Sequence, residues 1–123
     1  MIYGIGIDIV KTQRMKDAFE KWGRKFFEKI LTDAEIAYCF KKNDPYTSLA
    51  VRFAAKEALI KAVGWETSFG FKDVEIVNNE LGRPSIRVHG KVAEFFKDRG
   101  IHHCHVSLSH EKEFGVASVI LEK

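Results

Sequence analysis

Glu57 and Lys61 stand four residues apart in the run Arg52-Phe53-Ala54-Ala55-Lys56-Glu57-Ala58-Leu59-Ile60-Lys61-Ala62. At about 100° per residue, Phe53, Ile60 and Gly64 cluster around the direction of Glu57, and Lys61 lies about 40° beyond it. A carboxylate at the edge of an apolar stripe must be exposed, paired or ligating. The plain reading is a solvated Glu-to-Lys pair, which contributes only about 0.3–0.5 kcal/mol. The chemical reading needs a second acid, and Asp8 supplies a candidate. In Ile2-Tyr3-Gly4-Ile5-Gly6-Ile7-Asp8-Ile9-Val10 the period of two gives a β-strand with one bulky face, Tyr3, Ile5, Ile7 and Ile9, while Asp8 shares the other with Gly4 and Gly6. A strand face without side chains admits a helix or a ligand at close range. The alternative is an Asp that caps the following turn. If Asp8 and Glu57 converge, two hard oxygen donors with most coordination positions open describe a Mg²⁺ site that also takes substrate phosphates. Lys61 would then neutralise a phosphoryl oxygen as a point charge.

The elements that must position these groups are legible in outline. Helical spacing from Thr12 puts Met15, Phe19, Trp22 and Phe26 on one face, with Gly23 as a stop or interruption. Thr32-Asp33-Ala34-Glu35 reads as a capping box, Asp44-Pro45 breaks that helix, and the Glu57 helix ends near Gly64. Asp73–Val77 and Pro84–His89 flank a turn-rich connection and suit a hairpin. Lys91–Arg99 is a short helix closed by Gly100, and His105–Ser109 with Phe114–Leu121 form a closing hairpin. The expected architecture is α+β, a mainly antiparallel sheet packed by helices, in a single domain over 1–123.

Composition narrows the class. Apolar residues at 46% and charged residues at 30% suit a globular chain, and no apolar run approaches a membrane span. No signal peptide pattern opens the sequence, so a cytoplasmic location is expected. Cys39 and Cys104 lack the spacing of a metal or redox motif, which favours reduced thiols. A net charge of +3 tolerates acidic partners without demanding nucleic acid.

The opening GIGIDIV, the RFAAKEALIKA helix, the LGRP turn and the closing HVSLSH and FGVASVIL segments together resemble the small bacterial phosphopantetheinyl transferases of the holo-[acyl-carrier-protein] synthase family, over essentially the whole chain. The resemblance implies transfer of 4′-phosphopantetheine from coenzyme A to a serine of apo-acyl carrier protein, releasing adenosine 3′,5′-bisphosphate, in support of fatty acid biosynthesis. It implies that Asp8 and Glu57 hold Mg²⁺ and that Asp8, Glu57 and Lys61 form the catalytic set. Proton removal from the serine falls to Glu57 or to a metal-bound water. Matching positions assign coenzyme A contacts to Arg52, Lys56, Lys61, Gly64, Arg83, Pro84, His105 and His110, with the 3′-phosphate a target for Arg52 and Lys56. A homotrimer with sites between subunits is also implied; the small and apolar Gly115, Ala117 and Val119 of the last hairpin could face either a core or a partner. Longer relatives carry an additional acid two positions after the motif Asp, where this chain has Val10; many close relatives carry an acid where it has Lys11.

An acidic carrier gives the basic residues of the first helix a purpose. Lys21 and Lys25 each fall within about 20° of Arg14 if the helix runs through Gly23, with Arg14 at the family's carrier-contacting position. Such contacts act chiefly on encounter rate and weaken with salt. Rival readings are a small basic nucleic-acid-binding module, a non-catalytic interaction domain, and a hydrolase built on Ser107, Ser109 and His110. The first has no recognisable recognition motif and the last has no nucleophile elbow.

Overall fold

The computed structural model describes residues 1–64 and 68–123. Strand β1 (Ile2–Lys11) leads into helix α1 (Thr12–Trp22), followed by α2 (Arg24–Ile30), α3 (Asp33–Phe40) and α4 (Tyr46–Val63). A 3-10 turn (Phe71–Asp73) then opens a hairpin of β2 (Val74–Asn78) and β3 (Pro84–Val88). Helix α5 (Gly90–Arg99) precedes the closing hairpin of β4 (His103–His110) and β5 (Phe114–Glu122). The sheets are antiparallel, one of order β1-β5-β4 and one of order β2-β3, so the α+β architecture agrees with the sequence reading. Among the described residues no helix is long and apolar enough to cross a membrane.

Helix α4 is the centre of the molecule. Ala50, Ala54, Ala55, Ala58 and Ala62 are all buried, and this small-residue side lets strand β1 come into near backbone contact. The fit demands glycine: a Cβ at Gly6 would stand 1.8 Å from the Ala58 carbonyl oxygen, and one at Gly4 1.9 Å from that of Ala62. The bare shelf of β1 is thus filled by α4. Because β1 and α4 lock together there, Asp8, two residues past Gly6, is held against the helix turn that carries Glu57 and Lys61.

Local signals terminate the elements as their residue types dictate. Thr32 and Glu35 form the reciprocal capping box, with the Thr32 hydroxyl accepting from Glu35 N and Glu35 Oε1 accepting from Thr32 N. Gly64 and Gly100 close α4 and α5 in the left-handed conformation. Gly23, at φ 71°, stops α1 and starts α2 in a new direction, so the helix does not run through it. Lys25 consequently lies on α2, and the continuous face of Arg14, Lys21 and Lys25 expected from helical spacing is corrected to Arg14 and Lys21 on α1 alone.

Gly115, Ala117 and Val119 are buried against α4 and belong to the core. The opposite face carries Ile5, Ile7 and Ile9, each at least 60% exposed, in register with Ile120, Ser118 and Val116 of β5 and then His105, Ser107 and Ser109 of β4.

Candidate active site

Asp8, Glu57 and Lys61 meet on the rim of the β1–α4 contact. Lys61 Nζ donates to Asp8 Oδ1 at 3.2 Å and to the Ile7 carbonyl oxygen at 2.9 Å, so the last turn of α4 is tied to the end of β1. Burial pushes the Glu57 carboxyl above its usual range, and the Asp8 charge pushes it further. Lys61 and Arg14 pull it back down. Two like charges held together, with cations only partly offsetting them, form a donor set suited to a hard divalent cation. Among the described residues no group of three or more His, Cys, Asp or Glu converges as a metal site; Asp8 and Glu57 stand in electrostatic reach of each other. Val10 is 1% exposed in the core and adds nothing to this pair.

Arg14 stands beside this pair. Its guanidinium lies 5.5 Å from the centre of the Phe53 ring, one helical turn before Glu57. Arg14, Asp17, Lys21, Trp22, Phe26 and Phe53 line a groove of about 330 Å³ along α1. Sequence spacing assigned Trp22 to the apolar face of α1, yet it is 55% exposed. It stacks on Phe26 at 5.4 Å between ring centres, an arrangement that the turn at Gly23 permits. A glycine directly after an aromatic residue was the available sign that this ring leaves the core.

Two residues assigned to coenzyme A are taken up by the fold. Lys56 is wholly buried, paired with Glu35 at 2.9 Å and donating to the carbonyls of Phe71 and Val74. Arg52 is 2% exposed, with its guanidinium 4.2 Å from the centre of the Tyr38 ring and donating to Asn78 and to the Ser48 carbonyl. Both point away from Glu57, as their helical angles required, but that direction is filled by α3 and the β2-β3 hairpin. Within one chain both side chains are held by these contacts.

The remaining assigned positions lie apart from the acids. Gly64 is the exposed cap of α4. Arg83 is exposed in the β2-β3 turn, bonded through its backbone to Asn79, and Pro84 begins β3. His105 lies on the outer face of the sheet, opposite to the side carrying Asp8, and its Nε2 contacts Glu122 Oε1 at 2.9 Å. His110 is exposed at the end of β4. Among the described residues no hydrogen bond or ion pair joins Arg83, His105 or His110 to Asp8 or Glu57 within one chain. The thiols take no part: burial holds Cys39 up at about 11 and Cys104 at about 12, so both are protonated at neutral pH.

The chain matches the 4′-phosphopantetheinyl transferase superfamily over residues 4–118 and belongs to it. Within that superfamily it is similar to holo-[acyl-carrier-protein] synthases. The synthase of Halothermothrix orenii is 44% identical over 126 residues, covering 100% of this chain and 99% of the relative. The crystal structure of the Neisseria meningitidis synthase superposes with a TM-score of 0.91 at 36% identity, covering all of both chains. That of Helicobacter pylori, solved in complex with coenzyme A, gives 0.83 at 31% identity, over 96% of this chain and 99% of that one.

Proposed function

We propose that this chain transfers the 4′-phosphopantetheine group of coenzyme A to a serine of apo-acyl carrier protein, giving the holo-carrier and adenosine 3′,5′-bisphosphate. The convergence of Asp8, Glu57 and Lys61 carries the reading, in a chain similar throughout to holo-[acyl-carrier-protein] synthases. Asp8 and Glu57 would hold Mg²⁺. Bound there, the ion would supply Lewis-acid stabilisation of charge developing on the departing 5′-phosphate of adenosine 3′,5′-bisphosphate. Lys61, on a flexible stem with its side chain 44% exposed, reaches a phosphoryl oxygen as a mobile point charge. Phe53 and Arg14 wall the approach from the groove, where the acidic carrier docks with its serine toward the acids; Lys21 adds charge further along α1. Orienting the serine hydroxyl against the phosphoryl group is the positional work that this transfer needs.

The site is completed by assembly. His105 lies on the sheet face opposite Asp8, which supports a site in which a neighbouring subunit brings this residue to the coenzyme. The row of Ile5, Ile7 and Ile9 on that same face is the apolar surface that subunits cover in a homotrimer. The reaction serves fatty acid biosynthesis in the cytoplasm. The nucleic-acid and interaction-domain readings find no support among the relatives.

Incubation of the purified protein with coenzyme A, Mg²⁺ and an apo-carrier tests the reading directly. Mass spectrometry should show the carrier gaining one phosphopantetheine group. Chelator should stop the gain, and Asp8→Ala and Glu57→Ala should fold yet lose turnover. Full rates in both variants would remove the metal assignment.

A further inference from the structure

Lys61 is tied to Asp8 by more than proximity. Its ammonium bridges Asp8 Oδ1 at 3.2 Å and the Ile7 carbonyl oxygen at 2.9 Å, two acceptors from consecutive residues of β1. Asp8 is the more enclosed partner, its side chain 19% exposed against 44% for Lys61. The lysine therefore has somewhere to go, while the carboxylate is fixed by the strand. Lys61 also lies one turn beyond Glu57 and in electrostatic reach of it.

A divalent cation shared by Asp8 and Glu57 and an ammonium on Asp8 are like charges competing for one acceptor. Even if the two used different oxygens of Asp8, their repulsion at such separation in a half-buried site would weaken the binding of each. Resting on the metal site proposed above, we infer that Lys61 is a built-in competitor of the cation. The diphosphate of coenzyme A relieves this competition by drawing the ammonium from Asp8 onto its own oxygens. One lysine thereby couples the two ligands: coenzyme A tightens the binding of the metal and, by linkage, the metal tightens that of coenzyme A by the same factor. A bare metal ion is held weakly, and the loaded site assembles only when its phosphate substrate is present. Arg14 does not duplicate this role: it faces the Phe53 ring, and among the described residues no ion pair joins it to Asp8 or Glu57.

The test measures metal binding rather than turnover. Mn²⁺, which suits carboxylate sites, is titrated against wild type, Lys61→Met and Asp8→Asn with and without coenzyme A, free Mn²⁺ being read from its paramagnetic resonance signal. Without coenzyme A, Lys61→Met should bind Mn²⁺ about tenfold more tightly than wild type. With coenzyme A, the wild type should tighten by about tenfold or more and the variant by clearly less. The inference is overturned if Lys61→Met binds the ion no better than wild type, or if both gain equally from coenzyme A. If Asp8→Asn binds as wild type does, or if no protein binds the ion under either condition, the metal site itself is wrong and the inference falls with it.

Discussion

Lys56 Nζ lies 2.9 Å from Glu35 Oε1, and neither side chain is exposed. Glu35 also accepts from Thr32 N and Ile76 N, while Lys56 donates to the carbonyls of Phe71 and Val74. One ion pair thus joins α3, α4 and β2. Removing one partner strands the other as a buried charge, so Lys56→Met should cost about 3–5 kcal/mol in urea denaturation. Adding Glu35→Gln should recover part of that loss, because the orphaned charge disappears. In the folded fraction of Lys56→Met, the Michaelis constant for coenzyme A should stay near the wild-type value; a large rise would return Lys56 to the coenzyme site.

Glu75 gives the same junction a pH dependence. Its carboxylate accepts from the Thr32 hydroxyl at 2.7 Å and contacts His89 Nε2 at 3.1 Å. The Thr32 hydrogen bond, followed by His89, holds the carboxyl below its usual range. A group whose pKa is lowered on folding binds fewer protons in the native state than in the unfolded one. Its stabilisation is therefore present above the unfolded value of about 4.3 and is lost as pH falls through the lower native value. Urea midpoints should show Glu75→Gln less stable than wild type near pH 7, with the difference narrowing progressively below about pH 4. A constant difference across that range would mean that the carboxylate's charge is not what matters.

Gly6 should tolerate no side chain, since the added Cβ would meet the Ala58 carbonyl oxygen at 1.8 Å, a backbone atom that cannot rotate away. We expect Gly6→Ala to lose about 3 kcal/mol by denaturant unfolding. What remains folded should transfer poorly, because β1 shifts off α4 and takes Asp8 away from Glu57. Normal stability in Gly6→Ala would show that the strand yields more easily than this contact implies.

The glycines of β1 illustrate what sequence could and could not convey. Alternation identified the bare face and the acid on it, because the period of a strand is fixed by its pleat. It did not say whether a helix or a ligand filled that face, nor that the isoleucine face would be the exposed one. Similarly, helical spacing sent Arg52 and Lys56 away from Glu57 correctly, but an angle does not tell what is packed there; α4 is enclosed on several sides, and both cations ended in the core. The capping box at Thr32 and the stops at Gly64 and Gly100 were readable since backbone groups at helix ends need those residue types nearby. Gly23 was ambiguous because a glycine inside a periodic stretch can be tolerated or can redirect the chain. Here it redirects, and Lys25 leaves the Arg14 face.

The groove between Arg14 and Trp22 predicts a separation of kinetic constants. Arg14 and Lys21 line the same groove as Phe53, Trp22 and Phe26. Arg14→Ala should raise the apparent Michaelis constant for the carrier about fivefold, equivalent to about 1 kcal/mol, with a smaller effect on kcat. Added salt should weaken carrier binding in wild type more than in the variant, since one charge of the attraction has been removed. Equal salt sensitivity in the two proteins would place the carrier elsewhere.

Ile7 lies at the middle of the exposed row, 62% exposed and in register with Ser118 and then Ser107. A charge there meets no core atom of its own chain, so Ile7→Glu should keep its far-ultraviolet dichroism and its unfolding midpoint. In a subunit interface the same charge would be desolvated against apolar side chains, a cost that association cannot absorb without a partner for it. Light scattering on a sizing column should therefore report a trimer for wild type and a monomer for Ile7→Glu. Transfer should fall by at least about a hundredfold, because a site whose coenzyme contacts come from a neighbour's His105 face loses its positioning when that neighbour leaves. If Ile7→Glu retains the trimer mass, the isoleucine row is not the interface; if it becomes a monomer with full activity, the site is complete within one chain.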